Sequence, residues 1–434
     1  MAIAAPNSTT SPSTSGSGQG YGVPLATVTT LFFMWGFLTC LNDILVPHLK
    51  SIFDLNYTRV MLIQFAFFGA YFIFSIPSAR IIDMIGYQRS MVAGLLTMGL
   101  GAFLFVPAAS VPSYPLFLGA LIVLAAGITC LQVAANPYVT VLGKPETASS
   151  RLNLTQAFNS LGTFLAPFFG GLLILSAAPK TADQIRAMAP DAALAYRLHE
   201  AATVKMPYVG LGIALVLLAV AIGSFKLPKI EHAQHKAGER VDDSIWHHPN
   251  LVFGAIAIFV YVGAEVSIGS FLVNYFAQPE IGGLTEKVAA SFVAFYWGGA
   301  MVGRFIGSAL LQKVKTGSLL GLCAVCAAAL VGISMMTNGH FAMYSIILVG
   351  FFNSIMFPSI FTLGVAELGP LTGDGSGILI MAIVGGAIIP VAQGWIADHI
   401  GIHHAFFLPV ICYLYILFFA LSGSKPNSER RAPE

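Results

Sequence analysis

Charge is what this chain has least of. Only 9% of its 434 residues are Asp, Glu, Lys or Arg, where an ordinary soluble domain carries about 25%. So few charges cannot cover the surface of a water-soluble globule of this size, which excludes a soluble enzyme. The net charge of +2 leaves no basic patch for nucleic acid, and none is expected as a partner. The five cysteines, Cys40, Cys130, Cys323, Cys326 and Cys412, are odd in number and sit in apolar runs, so no disulfide framework is implied. Cys323-Ala-Val-Cys326 has the spacing of a metal half-site but lacks a second pair or a nearby histidine, and helix packing is the plainer reading. No Gly-rich nucleotide loop, nucleophile elbow or zinc signature is found. That argues against an ATP-driven pump and against an enzyme, and implies no cofactor or metal.

What the chain does have is apolar length. Hydrophobic residues make up 56% of it, and the mean hydropathy is +0.80. A bilayer-crossing helix needs about 20 apolar residues. Such runs predict spans at roughly 24–49, 60–83, 89–108, 114–142, 151–177 and 206–225. A second set follows at roughly 250–276, 288–312, 317–336, 341–366, 375–397 and 402–422. Barrel strands would be shorter and would alternate. The expected fold class is an all-α polytopic membrane protein with twelve transmembrane helices in two six-helix bundles, 23–225 and 249–422. Residues 1–22, rich in Ser, Thr and Gly, read as a disordered cytoplasmic tail, 226–248 as a charged cytoplasmic linker and 423–434 as a second tail. The segment from Ala178 to Lys205 has the composition of a surface helix.

An even number of spans puts both termini on one side. That side holds fourteen of the 21 Lys and Arg residues, Arg304 among them, which predicts cytoplasmic termini. A repeat supports the two halves. Ala135-Asn-Pro-Tyr-Val-Thr-Val-Leu-Gly143 in span four and Met356-Phe-Pro-Ser-Ile-Phe-Thr-Leu-Gly364 in span ten share a proline followed at the same distance by Leu-Gly. Phe68-Gly69-Ala70 in span two has a partner in Gly298-Gly299-Ala300 of span eight.

A charge at the bilayer centre costs about 2.5–3.5 kcal/mol on insertion scales and usually marks function. Among the carboxylates only Asp43 and Glu265 fall well inside spans, each in the first helix of its half. Each is a candidate proton carrier or an oxygen ligand for sodium. The alternative is a structural hydrogen bond, for which Tyr261, Ser267 and Asn274 stand near Glu265. The amides Gln64, Gln132, Asn136, Gln156, Asn159, Asn353 and Gln393 also fall inside spans, and Asn42 adjoins Asp43. Amides donate and accept, which suits a ligand made of hydroxyls, and Trp35 can stack on the apolar face of a sugar ring. Singly, such amides hold helices together; as a set they read as a polar central cavity. Asp83 and Arg89, around the turn after span two, read as gating residues, and His399, His403 and His404 as solvent-facing or interfacial groups.

The stretches Leu31-Phe-Phe-Met-Trp-Gly36, Leu41-Asn-Asp-Ile-Leu45, Ala134-Ala-Asn-Pro-Tyr-Val-Thr-Val-Leu-Gly143 and Arg151-Leu-Asn-Leu-Thr-Gln-Ala-Phe-Asn-Ser-Leu-Gly162 carry a resemblance. With them the chain resembles the fucose–galactose–glucose:proton symporter branch of the major facilitator superfamily, and most of all bacterial glucose/galactose transporters. The resemblance implies a symporter that alternates access around a central sugar site, with Asp43 in proton coupling and Gln156 and Asn159 on the sugar. The family's glutamate before the Ala-Ala-Asn-Pro stretch is Gln132 here. Either Asp43 works alone, Glu265 takes the second role, or the coupling cation is sodium.

The expectation is a monosaccharide importer of the bacterial inner membrane, working as a monomer in the lipid bilayer. Its substrate is a glucose- or galactose-type hexose, with N-acetylglucosamine and fucose as alternatives. A non-transporting sugar receptor is the contrasting class.

Overall fold

The computed structural model describes residues 21–53, 57–110, 113–173, 184–185, 187–203, 205–228 and 244–426. Within these, only the backbone is described for 41–53, 57–62, 64, 168–173, 197, 200–203 and 286. The described residues form helices and connecting turns, with no strand among them.

The first half has span one at Gly22–Phe53, two at Tyr57–Ile85, three at Tyr87–Ser110, four at Tyr114–Val141, five at Ala148–Leu173 and six at Lys205–Ser224. The second half has span seven at Pro249–Ala277, eight at Glu286–Leu310 and nine at Thr316–Met336. Its last three spans are broken. Span ten is Gly339–Asn353 followed by Met356–Gly364; span eleven is Thr372–Met381, a tight turn at Ala382–Val384, and Gly385–Ile400. Span twelve runs from Ile402–Ala405 through Phe407–Phe418 to a widened turn at Phe419–Gly423. A helix at Pro190–Thr203 lies in the segment whose composition predicts a surface helix.

Eleven of these spans are long and apolar enough to cross a membrane. Span five is long enough but more polar, because Arg151, Asn153, Thr155, Gln156 and Asn159 ride on it. Large apolar side chains such as Phe72, Leu217, Phe295, Leu322 and Leu421 point outward. A water-soluble surface would not tolerate that band, whereas a hydrocarbon surround does.

Within the first half, span three packs on spans four and six, one on five and two on four; within the second, eight packs on ten, nine on ten and twelve, and seven on eleven. The halves meet where span two faces eleven and span five faces eight. Close backbone approach sets the crossing of spans one and five. A Cβ on Gly162 would overlap the Phe33 carbonyl, and one on Gly36 would overlap that of Asn159. The second half repeats the crossing, with Gly385 of span eleven seated on the Phe259 carbonyl of span seven. Small residues at such crossings are how membrane helices come close enough to pack. Gly162→Leu should therefore overpack this crossing and cost about 1–3 kcal/mol, read as a fall in the thermal unfolding midpoint of the purified protein, with Gly119→Leu, where nothing lies within 4 Å of the added Cβ, as the control.

Candidate functional site

Between the halves lies a cavity of about 170 Å³, lined by Trp35, Gln132, Gln156, Asn159, Tyr261, Val262, Glu265, Arg304, Phe357, Pro358 and Ile383. That is smaller than the roughly 300–1,000 Å³ of drug-sized pockets and suits one small molecule. Trp35 stands edge-to-face with Phe32, ring centroids 5.4 Å apart, so its orientation is fixed by packing.

The first half supplies neutral amides. Asn159 Nδ2 donates to the Phe32 carbonyl at 2.9 Å, Gln132 Nε2 to Tyr71 Oη at 2.8 Å, and Gln156 Nε2 to Asn136 Oδ1 at 3.4 Å. A backbone carbonyl only accepts, so the Asn159 nitrogen must face Phe32. Each of these amide nitrogens keeps a second N–H beyond the bond it makes here, so this wall offers both donors and acceptors.

The second half supplies charge. Tyr261 Oη donates toward Glu265 Oε1 at 2.8 Å and the Asn353 carbonyl at 3.0 Å, two acceptors for one proton. Arg304 Nη2 stands 3.9 Å from Glu265 Oε1, an ion pair beyond hydrogen-bonding distance. The guanidinium is anchored at its other nitrogens, with Nη1 donating to Ser160 Oγ of the opposite half and Nε to the Ser354 carbonyl at 3.2 Å.

That carbonyl is free for a sequence reason. Pro358 has no N–H to return to the residue four positions back, which is Ser354. Its repeat partner Pro137 likewise frees the Val133 carbonyl, and Ser376 Oγ of span eleven donates to it at 3.0 Å. Each repeat proline therefore opens one carbonyl, and a side chain from another span closes it.

One end of the interface is pinned shut. Ser150 Oγ donates to the Ser308 carbonyl at 2.7 Å and Ser308 Oγ to the Ser150 carbonyl at 3.1 Å. Ser149 Oγ meets Thr362 Oγ1 at 2.6 Å, and Thr316 Oγ1 donates to Ser149 Oγ at 2.9 Å. Asn153 Nδ2 donates to the Arg304 carbonyl at 2.7 Å. Asp83 is at the same end: a Cβ on Gly373 would come 3.4 Å from Asp83 Oδ1, which puts the carboxylate beside the first turn of the Thr372–Met381 helix, where its charge is favoured.

Most of the predicted binding and coupling residues divide into three groups. Trp35, Gln132, Gln156, Asn159 and Glu265 line one cavity. Asn136 and Asn353 lie fully buried behind its wall, Asn136 against Gln156 and Asn353 Nδ2 on Tyr296 Oη at 2.8 Å. Asn42, Asp43 and Gln64 are on spans one and two, with side chains outside the described residues. Arg89 is exposed, and Gln393 is buried with neither amide atom bonded among the described residues. Of the three histidines, His403 is not simply solvent-facing: Nε2 is 2.6 Å from the Met335 carbonyl and Nδ1 is 3.3 Å from Tyr275 Oη.

Arg304 is the residue that sequence reasoning misplaces. It enters the charge tally as a cytoplasmic cation, but it sits in the cavity wall, and without it the balance is thirteen to seven. The signal was available, because insertion costs for Arg inside a span match those for Asp, and 304 lies well within 288–312.

The match to known proteins follows this geometry. Residues 26–383 fit the model of the Major Facilitator Superfamily. The chain belongs to that superfamily. It is 53% identical over 425 residues to a glucose/galactose transporter of Brucella abortus (strain 9-941), covering 98% of this chain and 100% of the relative. It is 36% identical over 412 residues to the L-fucose-proton symporter of Escherichia coli (strain K12), covering 93% and 94%. A crystal structure of the transporter FucP in the outward conformation superposes with a TM-score of 0.86 at 36% identity, covering 93% of this chain and 99% of that one.

The hydroxyl seal of this superfamily member is testable. The double variant Ser150→Ala with Ser308→Ala removes two reciprocal bonds worth about 1 kcal/mol each. Labelling of a cysteine placed at Leu371, in a background without native cysteines, should quicken by about fivefold or more.

Proposed function

We propose that this chain is a secondary active transporter that imports a glucose- or galactose-type hexose together with a proton. One observation carries the reading: amides, an indole and an ion pair from the two halves converge on a cavity the size of one small molecule. The relatives supply the substrate class, since one is named a glucose/galactose transporter and another an L-fucose-proton symporter. The mechanism is alternating access. The serine and threonine bonds at one end break as the halves rock, and a ligand shifts that balance only by binding one state better than the other.

Asp43 and Glu265 are the cation-coupling carboxylates in this reading, with Trp35, Asn42, Gln64, Gln132, Gln156 and Asn159 on the sugar, and Asn136 and Asn353 supporting them. Asp83 and Arg89 gate the sealed end. The Lys and Arg bias makes that end cytoplasmic, with both termini there. The membrane is the bacterial inner membrane. The bundles divide as 23–225 and 249–422 around the linker 226–248. The described cavity is built within one chain, which supports function as a monomer. Sodium is the second reading, favoured by the neutral Gln132.

In proteoliposomes, Asp43→Asn should abolish accumulation against a gradient while exchange of labelled sugar persists; unchanged concentrative uptake defeats the assignment. Varying the pH and sodium gradients separately over a panel of labelled hexoses, fucose and N-acetylglucosamine identifies cation and substrate. Tight binding with no uptake of any of them would instead mark a receptor.

A further inference from the structure

The ion pair in the cavity wall has an unusual shape. Arg304 is held at Nε by the Ser354 carbonyl and at Nη1 by Ser160 Oγ, so its plane is fixed by both halves of the molecule. Its third nitrogen, Nη2, points at Glu265 from 3.9 Å, beyond hydrogen-bonding distance. Glu265 is itself held through Oε1 by Tyr261 at 2.8 Å. Among the described residues, neither Nη2 nor Oε2 has a hydrogen-bond partner, and both side chains open on the cavity with 17% and 14% exposure.

A guanidinium only donates and a carboxylate only accepts. A gap between them is filled by a group that does both, as a sugar hydroxyl does on binding in place of water. Neither a methyl nor a second carbonyl meets the requirement. The opposite wall presents neutral amides, which donate to and accept from further hydroxyls but cannot tell one hydroxyl from its neighbour as sharply as a charged pair can. Resting on the hexose reading above, we propose that Glu265 and Arg304 form the subsite for one particular hydroxyl of the sugar, which accepts from Arg304 Nη2 and donates to the Glu265 carboxylate. This pair is then the specificity determinant on the second half, as the amides are the general hydroxyl partners on the first. It also places the sugar in contact with Arg304, the cation that bonds across to Ser160 of the other half.

The consequence is a selective penalty. A sugar lacking that hydroxyl leaves two desolvated charged groups unsatisfied, whereas loss of any other hydroxyl removes one neutral bond. Binding to the purified full-length protein in detergent, followed by calorimetry, is measured for D-glucose, D-galactose and each of their monodeoxy derivatives. One derivative should bind at least ~10-fold more weakly than the others. In Glu265→Gln and in Arg304→Lys that particular penalty should shrink by about the same factor, with the penalties for the other derivatives unchanged. A uniform weakening of all sugars in both variants would mean that the pair is only structural and overturns the proposal. So does a pattern of penalties identical to the unsubstituted protein. Should Glu265→Gln not fold, Arg304→Lys keeps the charge and gives the same readout. Binding of the parent hexoses without a displaced derivative pattern refutes the subsite alone; absence of binding by every hexose refutes the substrate reading as well.

Discussion

In the hydrocarbon interior no water completes a carbonyl that its own helix leaves open, and the architecture of the site depends on that constraint. Pro137 and Pro358 each remove a helical donor, from Val133 and Ser354 respectively. An unsatisfied buried acceptor costs about 1–3 kcal/mol, so each position demands a side chain from elsewhere. Ser376 answers the first across the interface, and Arg304 answers the second. Once Arg304 is fixed there, its charge has to be met, and Glu265 of span seven and Ser160 of span five meet it. The cavity wall and two of the side-chain bonds that close it thus share one cause.

The two halves contribute different chemistry to a common space. From the first come three amides whose nitrogens are engaged within the protein and an indole locked by a phenyl ring. From the second comes a carboxylate with its counter-ion, which keeps the buried site near neutrality; an unpaired charge at that depth would be strongly destabilising. The bonds that join the halves at the sealed end are mostly hydroxyls to carbonyls or to other hydroxyls, each worth about 1 kcal/mol. Such bonds hold one arrangement firmly in number yet exchange individually, which suits a molecule whose halves must separate at that end.

The spans were legible because their signal is local. Continuous apolar length is a property of neighbouring residues, and the predicted ranges fall within a few residues of the observed helices. Breaks in spans ten, eleven and twelve were not legible as breaks, since Ser354-Ile355 and Ala382–Val384 are as compatible with helix as their surroundings. Glu265 stood out by its cost. Arg304 carries the same cost and was hidden by being counted for its sign and side.

By itself, the sequence determined the class of molecule, the number and extent of its spans and most of the polar residues inside them, though not the place of Arg304. Scarcity of charge does this, because a lipid surround makes every polar residue inside a span an exception that can be read off the chain. Only the tertiary structure decided how that set divides: Gln132, Gln156, Asn159 and Glu265 on the cavity, Asn136 and Asn353 behind it, and Arg304 joining Glu265 to Ser160. Those pairings link residues on different spans, up to more than a hundred positions apart in sequence. The prolines in the sequence say which carbonyls need a donor, but which side chain meets each is set by helix crossings, which the order of the residues does not give.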